Sequence, residues 1–177
     1  MLIRGDSTTT ADVSTNAGFT NNGTLTFTSF NNNSSLDYPR LHLNQGMVNN
    51  GLFEMTTSGT GTSANSTTLT VGVGKALVNE VSGTININAG TGTNIRYIQG
   101  SIDNKGSVNI ASNLTMNGTG RDFANSGTVN ISAGNQSSSS VNSWNNSGNF
   151  NANGGNISIA GQSTSSSSWE NSGNYTQ

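Results

Sequence analysis

The sequence predicts an all-β fold, a parallel β-helix (β-solenoid) in which one short motif is rewritten as about seven coils of 21–32 residues. Three observations carry this. First, a glycine recurs at Gly23, Gly51, Gly83, Gly106, Gly127, Gly148 and Gly173, at spacings of 28, 32, 23, 21, 21 and 25 residues. Second, apolar residues stand two and four places after that glycine, with polar ones between them. Third, the chain is rich in Asn, Ser, Thr and Gly, and only 30% of it is hydrophobic. A unit this small cannot bury an apolar face alone, so the copies must stack to make a core.

Each coil is read from the approach to its glycine. Four residues before it comes an apolar side chain: Phe19, Met47, Ile102, Phe123, Trp144 or Trp169. Two residues before it comes Asn21, Asn49, Asn104, Asn125, Asn146 or Asn171, which in stacked coils forms an asparagine ladder. The copy at Gly83 reads VNEVSG and departs from the pattern, with Val78 and Asn79 displaced as if one residue were inserted. The glycine itself is expected to turn a corner with positive φ, a conformation that asparagine also tolerates.

After the corner comes a strand. Leu25, Phe53, Ile85, Val108, Val129, Phe150 and Tyr175 stand at +2, and Phe27, Met55, Ile87, Ile110, Ile131 and Ala152 at +4. A period of two means a strand with one buried face. A second apolar stretch follows in each coil, as in Leu41–Leu43, Thr68–Leu77, Asn94–Ile98, Leu114–Met116, Val141 with Trp144, and Asn156–Gly161. Each coil therefore holds two or three short strands, and seven corners at about 4.8 Å per rung make a rod roughly 30 Å long. The longest insertions, Ser29–Arg40 and Thr56–Thr68, fall in turns, where a solenoid accepts them. The whole chain, 1–177, reads as one solenoid: an end segment 1–18, long irregular coils 19–82 and shorter regular coils 83–177.

Composition removes several function classes. A net charge of −2 with 8% charged residues lacks the basic face that nucleic acid requires. No apolar run is long enough to cross a membrane as a helix. With no cysteine there is neither a disulfide framework nor a thiolate metal site, and no cofactor is expected. The opening MLIRGDSTTT lacks the apolar core of a signal peptide, so the expectation is a mature or excised segment, or export by another route.

The pattern N-x-G-[T/S]-Φ-x-Φ, clearest in GTLTF, GTINI, GSVNI and GTVNI, covers the chain from about Phe19 onward. It resembles the β-helical passenger regions of bacterial autotransporters and filamentous-haemagglutinin-like adhesins. The resemblance implies a right-handed β-helix that is secreted or displayed at a cell surface. The family's translocation barrel and N-terminal secretion domain have no counterpart in this sequence.

Several groups are candidates for chemistry. Arg96, Asp103, Lys105, Arg121 and Asp122 lie on neighbouring coils, either as surface ion pairs or as a glycan-binding or catalytic patch. DYPRLH, Asp37–His42, groups a carboxylate, a phenol, a guanidinium and the only histidine, and reads either as a solvated turn or as a site on an insertion. One histidine without partner ligands is a poor metal site, and no metal is expected. Arg4-Gly5-Asp6 is a chance-prone triplet. The outward residues at +1 and +3, among them Asn86, Asn109, Asn130 and Asn151, line up as ladders or as a flat polar face for glycans.

No residue set supports catalysis, so the sequence predicts a non-enzymatic extracellular stalk, adhesin segment or self-assembling fibre subunit. The alternative is a carbohydrate-active β-helix: a polysaccharide lyase, a hydrolase or a tailspike-like glycan binder. The expected partners are surface glycans and further copies of the chain. Four residues follow Gly173, so a tail joined to the next head puts 27 residues between corner glycines, inside the observed range. That spacing fits head-to-tail stacking, and equally a piece cut from a longer solenoid.

Overall fold

The computed structural model describes residues 1–5, 11–30, 39–58, 66–90, 95–132, 135–153, 156–161 and 168–176. Every strand pairing among them is parallel and no helix occurs. Parallel strands need a crossover between partners, and here the crossover is the rest of the coil. The result is a β-solenoid with three strand stacks.

The first stack follows the corner glycines. It has eight strands: Leu2–Gly5, Thr24–Phe30, Leu52–Ser58, Thr84–Ile87, Ser107–Ile110, Thr128–Ile131, Asn149–Asn151 and Asn174–Thr176. The second begins with Asp12–Thr15, Arg40–Leu43, Thr67–Val71 and Arg96–Gln99. The third begins with Phe19–Asn21, Met47–Asn49, Ala76–Asn79 and Ser101–Asn104. In later coils the second and third strands fuse into the long strands Leu114–Asn125 and Asn135–Asn146, each pairing with both stacks. The end segment 1–18 is itself a rung, because Leu2–Gly5 pairs with Thr24–Phe30 and Asp12–Thr15 with Arg40–Leu43.

Period two is met in the first stack from Leu25 to Phe150, while Tyr175, in register with Phe150 in the last rung, is exposed. Leu25, Phe53, Ile85, Val108, Val129 and Phe150 stack in register and are buried, as are Phe27, Met55, Ile87, Ile110 and Ile131. Leu41, Leu69, Ile98 and Met116 form the inward row of the second stack. Met47, Leu77, Ile102, Phe123 and Trp144 form that of the third, where Phe123 and Trp144 stack at 4.1 Å between ring centres. Full burial of a Leu, Ile or Phe side chain contributes about 1.5–3 kcal/mol each, so these rows supply the main driving force.

Two sequence expectations are corrected. The corner glycines do not adopt positive φ. The described glycines that do are Gly46, Gly74, Gly118 and Gly120, and all four lie at the turn between the second and third stacks. What the corner requires is the absence of a Cβ. A Cβ on Gly51, Gly127, Gly148 or Gly173 would lie inside the van der Waals radius of a carbonyl oxygen in the corner beneath, that of Gly23, Gly106, Gly127 or Gly148 respectively. Gly23, in the first of these corners, has open space there instead.

The second correction concerns the copy at Gly83. Register pairs Asn79 with Asn49 and Asn104, and Leu77 with Met47 and Ile102. Leu77 is therefore the inward residue, Val78 faces outward, and Asn79 belongs to the ladder. Asn79 stands four positions before Gly83, against two in the other copies, so the insertion is of two residues. It forms a turn at Val81–Ser82, closed by the Gly83 amide donating to the Glu80 carbonyl at 2.7 Å. The stretch Thr68–Leu77 is likewise two strands, Thr67–Val71 and Ala76–Asn79, split by a turn at Val73–Gly74.

Candidate functional site

Two ladders run along the rod, an inner one from Asn21 to Asn171 and an outer one from Asn86 to Asn151. The inner one is Asn21, Asn49, Asn79, Asn104, Asn125, Asn146 and Asn171. Each Nδ2 donates to the next Oδ1 at 2.6–2.8 Å. Nδ2 also donates to a backbone carbonyl at the corner above, for example from Asn49 to Thr84 and from Asn79 to Ser107, both at 3.1 Å. Those carbonyls fix the amide orientation, because an oxygen in that position would face another oxygen. Asn49, Asn79 and Asn104 are fully buried. A buried amide stabilises only when its bonds are made, and here every coil makes them.

The outer ladder lies on the first stack. Asn109 donates to Asn86, Asn130 to Asn109 and Asn151 to Asn130, each at 2.9 Å. It runs in the opposite sense, each amide donating to the coil before. One rung lower, Glu54 takes the corresponding place and accepts from Thr26 at 3.1 Å and from Asn88 at 3.4 Å. With Thr84, Ser107 and Thr128 beside it, this ladder makes a flat uncharged face over the later coils.

The five charged candidates do not form one patch. Arg96 faces inward and is fully buried. Its guanidinium donates to Thr57 Oγ1 at 3.1 Å, to the Asn88 carbonyl at 2.7 Å and to Ser112 Oγ at 2.8 Å, bolting three coils together at one corner. Burial disfavours the charge and pushes its pKa down to about 10. Arg121 is also buried and donates to the Gly72 carbonyl at 2.8 Å, across an intervening coil. Lys105 pairs with Glu80 at 3.0 Å and lies 3.8 Å from Asp103. The hydrogen bond to Glu80, with the nearby charges of Glu80 and Asp103, raises the Lys105 pKa against a smaller effect of burial. Asp122 stands apart and accepts from Ser143 at 2.6 Å and from Asn142 at 2.9 Å.

The remaining candidates are structural contacts or lie outside the described residues. His42 Nε2 is 3.0 Å from Asp12, which lies on the paired strand of the rung below in register with Arg40. Asp37 and Tyr38 fall outside the described residues, as does most of both long insertions. Arg4 lies over the Phe30 ring at 3.8 Å, and Asp6 is not described. Trp169 lies in Ser168–Asn171, in register with Trp144. A shallow cleft of about 300 Å³ opens on the third stack between Asp103 and Glu170, above the small side chain of Ala124. Among the described residues no group of three His, Cys, Asp or Glu side chains converges as metal ligands.

Sequence reasoning missed the inward positions of Arg96 and Asn79. Arg96 was legible, since it stands two residues before inward Ile98 in a period-two strand. No family model, curated protein or solved structure matches this chain.

Proposed function

We propose that this chain is a structural and adhesive rod, an extracellular stalk, adhesin segment or fibre subunit. The observation that carries the reading is the unbroken inner ladder, which ties the third strand of every coil to the next along the rod axis. A molecule so reinforced resists bending, and its regular outer face offers amides and hydroxyls to a surface. The dispersal of Arg96, Asp103, Lys105, Arg121 and Asp122 supports this reading over a lyase or hydrolase, which would gather carboxylates about one bond. The resemblance to autotransporter and haemagglutinin-like passengers is of the same kind.

Both ends of the described stack carry strands with one unpaired edge, Leu2–Gly5 and Asn174–Thr176. Such an edge accepts another parallel rung, either from further coils or from a second copy. Negative-stain electron microscopy across a concentration series tests the rod. Uniform filaments that lengthen with concentration identify a fibre subunit, and discrete short rods identify a stalk or adhesin segment. Particles without rod shape sink the reading. Binding to immobilised glycans tests adhesion separately, and its absence leaves only the mechanical role.

A further inference from the structure

Asparagine is followed directly by glycine at Asn22, Asn50, Asn117 and Asn153. No asparagine context in a polypeptide is more reactive. Glycine has no side chain to crowd its own amide nitrogen, which can attack the preceding Asn Cγ and close a succinimide ring. The fold treats these four pairs differently.

Asn22–Gly23 combines three features that favour the attack. The first is access. Both residues are exposed, and a Cβ built on Gly23 meets nothing within 4 Å. The second is a loosely held nucleophile. The Gly23 amide donates to Asn21 Oδ1 at 3.3 Å, which is long for an N–H···O bond. The third is a polarised electrophile. Asn50 Nδ2 donates to Asn22 Oδ1 at 2.8 Å. Attack at Cγ turns that oxygen into an oxyanion, and a donor already aimed at it stabilises the charge as it develops.

The other pairs lack this combination. Asn50 is half-buried and is the donor of that bond rather than its acceptor. The Gly51 amide donates to the Asn21 carbonyl at 3.1 Å, and the Gly23 carbonyl beneath leaves Gly51 no room to pivot. Asn117 Oδ1 is buried without a hydrogen-bond partner, so nothing there would stabilise an oxyanion. Asn153 precedes a glycine that lies outside the described residues.

We propose that Asn22 is a site of spontaneous deamidation and that Asn50 is the side chain that activates it. The Gly23 nitrogen bonds to Asn22 Cγ and gives its proton to water, and the Asn22 amide nitrogen leaves as ammonia. Water then opens the succinimide at either carbonyl, giving aspartate or isoaspartate. The balance is one water consumed and one ammonia released, with no oxidant or cofactor. Either product puts a negative charge on this corner and keeps an oxygen to accept from Asn50. Isoaspartate also adds a methylene to the main chain directly after Asn21, the residue whose Nδ2 donates to Asn49 in the inner ladder. The reaction is therefore a slow chemical timer placed at that rung. It is independent of the adhesive reading.

The test holds the full chain, folded and in urea, at mildly alkaline pH in water enriched in heavy oxygen. Label at each Asn-Gly pair is followed over time by peptide mass spectrometry. In urea, Asn22 and Asn50 are expected to label alike. In the folded chain, Asn22 is expected to label at least as fast as in urea and about tenfold or more faster than Asn50. Asn50→Ala is expected to slow Asn22 by about three- to tenfold, the worth of a single exposed hydrogen bond. Gly23→Ala, which enters open space, is expected to slow it by crowding the nitrogen. The comparison of folded and unfolded parent chain needs neither variant. Equal rates at Asn22 and Asn50 in the folded chain, or protection of both relative to urea, overturns the proposal. So does an Asn22 rate that Asn50→Ala leaves unchanged or raises, or that Gly23→Ala leaves undiminished.

Discussion

At the scale of single residues, the corner glycines separate two physical reasons for the same amino acid. A glycine chosen for positive φ would be strained by any side chain, whereas one chosen for close approach is tolerant wherever space exists. Gly127→Ala drives a Cβ into the Gly106 carbonyl and should lower stability by about 3 kcal/mol or abolish folding. Gly23→Ala meets open space and should shift the urea midpoint hardly at all. Equal effects of the two substitutions would remove the close-approach account. Asn104→Ala takes the ladder acceptor from Asn79 Nδ2 and the donor from Asn125 Oδ1 at buried positions and should cost about 3 kcal/mol by chemical denaturation. Arg96 gives a pH signature. Its folded pKa of about 10 lies below the ordinary arginine value, so the unfolded chain holds the proton longer as pH rises. The stability difference between the parent chain and Arg96→Met should be flat up to about pH 10, then move in favour of the parent. The positions of the glycines were legible because spacing alone reveals them. Their reason was not, since a sequence does not show which carbonyl passes beneath.

At the scale of elements, the strand after each corner was legible residue by residue, because alternation over four positions leaves little choice of face. The third strand was hidden. Only its positions four and two before the glycine stood out, and they read as the approach to a turn rather than as an inward Leu77 and Asn79. The misplacement at Gly83 has the same source: aligned on the glycine, a two-residue insertion slides an outward Val78 toward the inward slot. The charged candidates show the converse limit. Arg96, Asp103, Lys105, Arg121 and Asp122 are close in sequence, yet period two sends them to opposite faces, which proximity along the chain cannot reveal. The clasp from Arg121 to the Gly72 carbonyl joins elements 49 residues apart. Arg121→Ala should lower stability by about 1–2 kcal/mol and speed hydrogen exchange of the Lys75 amide, which closes that turn. An unchanged Lys75 rate would mean that the clasp does not brace the turn.

At the scale of the molecule, the fold class was legible because a repeat states it many times over, and errors in one copy are corrected by the others. Function was less so. The same redundancy that specifies the rung says nothing about what the rung touches. The opposed sense of the two ladders belongs to this scale as well, since their amide dipoles oppose one another over the coils from Asn86 to Asn151. Both ladders and the backbone bonds between rungs lie along the rod axis, so a pull between the chain's two ends loads a single rung at a time. The rod should therefore yield by peeling rather than by rupture. In an optical trap, coils of 21 to 32 residues should come away one by one, each lengthening the tether by about 70–110 Å at roughly 3.4 Å per extended residue. Such a device dissipates a sudden load in small instalments, as a shock absorber does, and keeps the rest of its length intact while it gives.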